Sequence, residues 1–306
     1  MLPRLPFTRI LALVSLLVHP AIAAEQSSAG TGERVREKML RMTEFLDTML
    51  PGVLEENNVT LHFRPKFSDL RDYEFVRFPF ELRYGLTNRW ELRGGLSPFT
   101  PNPFNRGREH RWGPGEVKLA ALRDLDCPLG FFDETTLGLE ARIPLGTPPA
   151  EINDHYTHLK PSFTAARRLR GWPSTTLYTN LAYDRSIDLT HRDPGPAGVE
   201  RRDILEAAPG LLYKPGEVGW FTEYRLRRIH DDAGNHLGHK FQAGTIWDVP
   251  LARTEKWNLP GKWQVELAYR VELEEGRDRD HGISARVNWR TTLREVLQHG
   301  RTPAKK

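Results

Sequence analysis

The sequence predicts an all-β fold, an antiparallel up-and-down transmembrane β-barrel of about twelve strands preceded by one N-terminal amphipathic helix. Three observations support this prediction. From Asn58 onward, apolar residues recur at every second position. The stretches with this period are joined by connections that are alternately short and long. Charged residues of both signs fill the positions between the apolar ones, so each stretch has an apolar face and an ionic face.

The stretch 76–96 shows the period most clearly. Every even-numbered residue from Val76 to Leu86 is apolar, whereas Arg, Pro, Glu and Gly occupy the odd positions between them. A turn at 87–89 follows, and the alternation resumes from Trp90 to Leu96. This is the period of a β-hairpin, and its strands exceed the roughly five or six residues usual in globular proteins.

The same period predicts ten further strands, which gives twelve in all, an even number as in bacterial single-chain barrels. They lie around 59–67, 117–121, 135–143, 159–165, 177–183, 205–213, 218–226, 241–247, 263–271 and 283–289. The predicted joins 87–89, 170–173 and 214–217 are short, and the joins 98–114, 144–157, 186–203 and 229–239 are long. Short periplasmic turns and long outside loops are typical of outer-membrane barrels. The joins 124–133 and 249–261 should be short by this rule and are not.

The chain divides into four predicted segments. Residues 1–23 have a basic start, an apolar run too short for a spanning helix and an Ala-Ile-Ala cleavage pattern, which predict a secretory signal peptide and export to the cell outer membrane. Residues 24–57 form a periplasmic lead and the amphipathic helix, residues 58–292 the barrel, and residues 293–306 a basic tail. Barrels of this kind usually end on a strand with a terminal aromatic residue that the barrel-assembly machinery reads, and this tail departs from that pattern.

The helix is predicted at 33–50 because its apolar residues recur at three and four positions and Pro51-Gly52 then stops it. Three of the four methionines lie there, and methionine suits an adaptable contact surface. Three settings remain open for this helix. It packs across the periplasmic mouth of the barrel, fills the lumen as a plug, or contacts a partner.

The composition gives no support to nucleic-acid binding or to a disulfide-stabilised fold. Without Arg4 and Arg9 of the signal peptide the chain carries 42 basic and 40 acidic side chains, a balance that gives no support to nucleic-acid binding. The single cysteine, Cys127, provides no internal disulfide framework.

The charged face of the strands is predicted to line the lumen, because each charge would cost a few kcal/mol in the middle of the lipid. The predicted lumen-facing residues are Arg77, Glu81, Arg83, Glu91, Arg93, Glu116, Lys118, Glu140, Arg142, Glu206, Glu223, Arg225, Glu266, Arg270 and Arg286. The mixed signs produce no single-sign field for cations or anions, and the sequence leaves open whether this lumen is open or plugged. Tryptophans near the strand ends indicate an aromatic girdle at the two water–lipid boundaries.

Four stretches resemble the MetA-pathway-of-phenol-degradation family of outer-membrane β-barrels, which are often labelled transporters. They are RYGLTNRWELRGGL at 83–96, GPGEVKLAAL at 113–122, ETTLGLEARIPLGTPP at 134–149 and TTLYTNLAYDRS at 175–186. The likeness covers roughly 75–290 and consists of strand and turn patterns. It implies passage of small molecules, including aromatic or hydrophobic ones, and it supplies no catalytic residue.

Two kinds of site chemistry are weakly indicated. Asp154, His155 and His158 in one loop, and His230, Asp231, Asp232, His236 and His239 in another, have spacings that can bind a transition metal. An outer-membrane phospholipase would need a lipid-facing Ser–His pair, and His158, Ser162 and Ser284 have the inward register instead. We therefore predict no catalytic residue, no metal site and no cofactor, and a protein that is not an enzyme.

The predicted function is a passive, porin-like channel or transporter for small-molecule solutes, set in outer-membrane lipid. Two alternatives remain from other classes. One is a structural or ligand-binding envelope barrel that transports nothing. The other is a soluble exported β-sandwich or lipocalin-like binder, whose strands would be shorter and whose apolar face would line the inside.

Overall fold

A computed structural model of the chain describes residues 44–45, 48–65, 74–104, 112–125, 131–145, 149, 154–188, 202–231, 234–257, 259, 261–275 and 279–294. The predicted signal peptide, Cys127, and all of the tail after residue 294 lie outside this part of the chain. Among the described residues, no helix has the length and apolar character needed to span a membrane.

Fifteen strands and one short helix make up the described regular structure. In chain order they are β1 (Glu44–Phe45), β2 (Thr48–Met49), β3 (Asn58–Phe63), β4 (Phe75–Arg77), β5 (Phe80–Gly85), β6 (Trp90–Pro101), β7 (Gly113–Leu125), β8 (Glu134–Pro144), β9 (Thr157–Leu169), β10 (Trp172–Ile187), β11 (Asp203–Tyr213), β12 (Val218–Asp231), β13 (Gly234–Asp248), α1 (Leu251–Lys256), β14 (Lys262–Glu274) and β15 (Asp280–Thr292).

Twelve antiparallel strands close into a barrel, which confirms the predicted architecture. From β5 onward each strand pairs with the next, and β15 returns to pair with β3, which itself pairs with β5. Closure pairs the first strand of the ring with the last, which suits a membrane because lipid offers no hydrogen-bond partners to an unpaired backbone. The pair β1–β2 forms a separate two-stranded sheet and is not part of this ring.

The strand β4 is an extra piece that pairs with the far end of β6. The sequence predicted one strand over 76–86, but the structure interrupts it at Phe78–Pro79. Proline has no N–H to donate to the ladder, so the strand breaks there and resumes at Phe80. Val76, predicted on the exposed face, is buried instead, and the exposed alternation starts at Phe80.

Two predicted connections differ in the structure. The long loop predicted at 229–239 is wrong, because β12 and β13 continue through pairs such as His230↔Asn235 and leave only 232–233 between them. The polar residues there had concealed the strand period. The predicted turn 249–261 is long because it contains α1, which explains why it did not fit the short-turn rule.

The predicted N-terminal helix is not confirmed. Most of 33–50 lies outside the described residues. Its described end forms the short antiparallel pair β1–β2, with Glu44 opposite Met49, and is therefore not helical. The local 3.6-residue period of apolar residues did not decide the backbone conformation there, which agrees with propensity being a weak prior.

Candidate functional site: the inner wall of the barrel

The outer wall of the barrel is apolar. Leu82, Leu137, Leu181, Leu205 and Leu267 are exposed at successive positions around the ring. A contiguous exposed apolar surface of this kind is not stable in water and marks contact with a membrane. The alternation of side chains along each strand therefore places these leucines on the outer face.

Aromatic residues mark the two ends of this outer wall differently. Seven of the eight tryptophans lie near the end of the barrel that carries the short turns. There Trp263 and Trp289 lie 6.2 Å apart between ring centroids, and Tyr213 stacks on Trp220. We call the other end the loop end, and two tyrosine hydroxyls bond to imidazoles that lie on its side of the strand midpoints. Tyr224 to His239 Nδ1 and Tyr269 to His281 Nδ1 both measure 2.6 Å. Aromatic rings with one polar atom suit a water–lipid boundary.

The predicted lumen-facing residues lie on the opposite, buried side of the strands. Nine of them are buried, namely Arg83, Glu91, Arg93, Glu140, Glu206, Glu223, Arg225, Glu266 and Arg286. The other six, Arg77, Glu81, Glu116, Lys118, Arg142 and Arg270, are half-buried. Arg83, Glu91 and Glu266 each have 0% of their surface exposed, so at their level the inner wall is packed side chain against side chain.

Ion pairs join many of these side chains across strands β5 to β10. Lys118 Nζ lies 2.9 Å from Glu81 on one side and 2.9 Å from Glu140 on the other. Glu140 is 3.5 Å from Arg142, which pairs in turn with Asp184. Charged groups in a low-dielectric interior are tolerated only when they are paired and hydrogen-bonded, and this chain of contacts fulfils that condition.

A second network joins strands β10 to β13. Arg225 lies 3.5 Å from Glu206 and 3.1 Å from Glu223. Glu223 also accepts hydrogen bonds from Gln242, at 3.1 Å, and from the Tyr178 hydroxyl, at 3.4 Å. Gln242 and Tyr178 are not among the predicted lumen-facing residues, although both lie at inward-facing positions of their strands.

A third group of contacts joins β14 and β15. Arg286 on β15 donates to both oxygens of Glu266 on β14 at 2.8 Å, and Asn288 adds a bond of 2.7 Å to Glu266 Oε1. The fork geometry of arginine matches a carboxylate in this way. Arg270 pairs elsewhere, with Asp280 at 3.4 Å, and Arg77 lies on β4 beyond the proline break.

Several of the candidate metal residues are engaged in other contacts, and Asp232 lies outside the described residues. His158 Nδ1 is 2.8 Å from Asp184 and its Nε2 is 2.8 Å from Asp154. His236 is 3.3 Å from Glu274. No cluster of three or more His, Cys, Asp or Glu side chains within the described residues is arranged to hold a metal ion. Ser162 and His158 are buried on the inner face, away from lipid, and Ser284 is half-buried.

The segment Leu50–Leu54 crosses the inside of the barrel at the turn end, and we call it the crossbar. At one side the Leu54 N–H donates to Glu91 Oε2 on β6 at 2.8 Å, and further along the Gly52 N–H donates to Thr136 Oγ1 on β8 at 2.7 Å. Leu50, Val53 and Leu54 are all fully buried. The backbone of the crossbar bends at Pro51, and Gly52 has a φ of 105°.

The far end of the crossbar rests in an apolar patch of the inner wall, which we call the socket. Leu50 clusters there with one residue from each strand from β9 to β14: Ala166, Tyr178, Leu212, Phe221, Ile246 and Ala268. In the ring of twelve strands β12 stands six places from β6, directly opposite. Pro51-Gly52 was predicted to stop a helix, and the crossbar was not predicted from the sequence. The sequence feature that could have indicated it is the group of three apolar residues, Leu50, Val53 and Leu54, around Pro51-Gly52 and before the first polar turn.

Comparison with known proteins supports the fold. The sequence matches no family model and no curated protein, so the family that its motifs resemble is not established. Among solved structures it is similar to an outer membrane channel from Pseudomonas putida F1, with a TM-score of 0.54 and 11% identity over 82% of this chain and 100% of that one. The NanC porin has a TM-score of 0.42 and 11% identity over 77% of this chain and 98% of that one. The first likeness, together with the apolar outer wall, leads to the conclusion that this chain has the fold of an outer-membrane β-barrel.

Proposed function

We propose that this chain is a passive outer-membrane channel for small molecules. The observation that carries the proposal is the closed twelve-strand ring with charges of both signs on its inner wall and leucines on its outer wall. Twelve strands enclose a bore between a filled eight-strand barrel and an open sixteen-strand porin. Such a bore admits small solutes and excludes large ones.

The fifteen charged positions of the inner wall are proposed to line the passage. Because acidic and basic groups alternate, as in Glu81, Lys118 and Glu140, a passing solute meets neither a cation filter nor an anion filter. Neutral or zwitterionic solutes fit this wall. The motif resemblance supports extending the cargo to small aromatic or hydrophobic molecules.

The proposal assigns no catalytic role to any residue. The inward position of His158 and Ser162 speaks against a lipid-facing hydrolytic pair. The proposed partners are outer-membrane lipid, the permeating solutes and the barrel-assembly machinery, with no nucleic acid among them. The proposed route to the membrane is export through the signal peptide at 1–23.

Planar-bilayer recording and liposome swelling test the channel proposal. The folded full chain, recognised by heat-modifiable gel migration, should give discrete conductance steps. Its liposomes should swell with small sugars, amino acids and aromatic acids but not with large oligosaccharides. Folded barrels that give no steps and no swelling, either as wild type or with the crossbar residues replaced, would contradict the proposal.

A structural or ligand-binding envelope barrel is the second candidate. The packed inner wall favours it, because Arg83, Glu91 and Glu266 have no exposed surface on which a solute could slide. This candidate predicts a folded, heat-modifiable barrel that remains silent in the bilayer under every condition above. The same recordings therefore separate the two functions.

A further inference from the structure

We propose that the crossbar, Leu50–Leu54, is a gate built into the chain that closes the turn end of the channel and opens by leaving its socket. The proposal rests on the channel function above and adds its regulation. Its basis is geometric, because a segment anchored on β6 and β8 and inserted against β9 to β14 obstructs the bore.

The gate is attached to β6 through a specific hydrogen bond to Glu91. The Glu91 carboxylate accepts a hydrogen bond from the Leu54 N–H through its Oε2. Its Oε1 accepts a hydrogen bond from Arg93 Nε at 2.6 Å and lies 3.9 Å from the Arg83 guanidinium. Arg83 lies 2.7 Å from Glu81. The carboxylate that fastens the gate is therefore part of the inner-wall ion-pair network.

The inner wall is shaped to receive the crossbar. A Cβ on Gly85 of β5 would lie 2.0 Å from the Glu55 carbonyl oxygen and 2.8 Å from that of Leu54. Only glycine allows the chain to approach β5 so closely. Val53 packs on Leu122 of β7, with Ala120 beside it. Apolar inner residues on β7 and in the socket thus face the two apolar ends of the crossbar.

The crossbar can leave without disturbing the barrel. It precedes β3, which starts at Asn58, so no strand loses its pairing partner when the crossbar moves. The contacts described above, two hydrogen bonds from its backbone and three apolar side chains, belong to no strand-to-strand ladder of the wall. Its departure would uncover the socket beside the Glu223, Gln242 and Tyr178 cluster.

A matched pair of full-chain variants tests the gate by bilayer recording. Leu50→Ser/Val53→Ser/Leu54→Ser removes the buried apolar anchors, and Glu55→Ser/Glu56→Ser changes the two exposed residues directly after the crossbar. We expect the first variant to raise the open probability several-fold over wild type and the second to leave it unchanged. Heat-modifiable migration of both checks that the barrels have folded.

A disulfide tether provides the second arm, on a Cys127→Ser background. Val53→Cys/Leu122→Cys joins two side chains that share one buried cluster and should fix the gate shut. The oxidised protein should be silent, and a reductant should restore wild-type steps. Equal conductance of the wild type, the triple serine variant and the oxidised tether would overturn the gate but leave the channel standing. Silence of every folded variant would overturn the channel itself.

Discussion

The inner and outer faces of the barrel wall are made from neighbouring residues of the same strands, yet their chemistry is opposite. On β14, Glu266 has 0% of its surface exposed and the next residue, Leu267, has 53%. In a water-soluble sheet the leucine would be inside. This inverted placement of apolar and charged residues indicates that hydrocarbon surrounds the barrel. It also indicates that the charged side chains pair with groups inside the ring.

The two faces also differ in how a residue depends on its neighbours. A leucine on the outer face contacts lipid, which adapts to it. A charge on the inner face depends on one or two particular side chains, as Glu266 does on Arg286 and Asn288. Substitutions on the inner wall should therefore couple strongly in pairs, and substitutions on the outer wall should not.

The largest effect is expected from Glu266→Leu, which leaves the buried Arg286 guanidinium without its carboxylate. Removing one partner of a buried pair costs about 3–5 kcal/mol of unfolding free energy. Urea unfolding in lipid vesicles, followed by tryptophan fluorescence, measures it. The control is Glu266→Leu/Arg286→Leu, which removes both charges and should recover most of the loss. Equal losses for the single and double variants would show that the two residues are not coupled.

Leu267→Arg should have the next largest effect, because it places a charge on the lipid-facing side. Arginine near the middle of the bilayer costs about 2–4 kcal/mol in a barrel. We expect a matching fall in unfolding free energy and a lower yield of inserted protein in vesicles. Leu251→Arg, on exposed α1 at the turn end, is the matched control and should change neither quantity. Indistinguishable behaviour of the two variants would place Leu267 outside the lipid.

Gly210→Ala should have a smaller effect on the inner wall near the socket. The Tyr178 ring covers Gly210, and a Cβ there would lie 2.2 Å from the ring carbon that bears the hydroxyl. Overpacking of this kind costs about 1–3 kcal/mol. Adding Tyr178→Leu should reduce the penalty of the alanine, and the double-mutant cycle in urea measures the coupling. A coupling of zero would mean that the ring does not rest on Gly210.

The smallest effect is expected from Tyr269→Phe, at the loop end of the outer face. It removes the hydroxyl bonded to His281, and one such bond contributes about 0.5–1.5 kcal/mol net. Tyr213→Phe is the comparison at the turn end, where the ring stacks on Trp220 and should lose less. The two midpoints of urea unfolding decide between them. A larger loss of stability in Tyr213→Phe than in Tyr269→Phe would show that the Tyr269 hydroxyl does not stabilise the barrel through His281.

The fold class, the number of strands in the ring and the apolar face of the ring strands can be predicted from the sequence alone. A period of two is a local property, because successive side chains of a strand point to opposite faces whatever the strand pairs with. Leu82 and Leu267 could be placed on one face and Glu266 on the other without knowing any contact. The same reasoning failed where local signals conflict, as at Pro79 and in the polar residues of 229–239.

The sequence does not predict which charged side chains pair or which segment lies inside the ring, because both depend on folding of the whole chain. That Arg286 binds Glu266, and that Lys118 lies between Glu81 and Glu140, depends on the register of paired strands and on closure of the barrel. The crossbar is a still longer-range fact, because Leu50 finds its socket on six strands that begin more than a hundred residues later in the chain. Non-local pairing of this kind leaves no periodic trace in the sequence, and its energy appears only once the ring has closed.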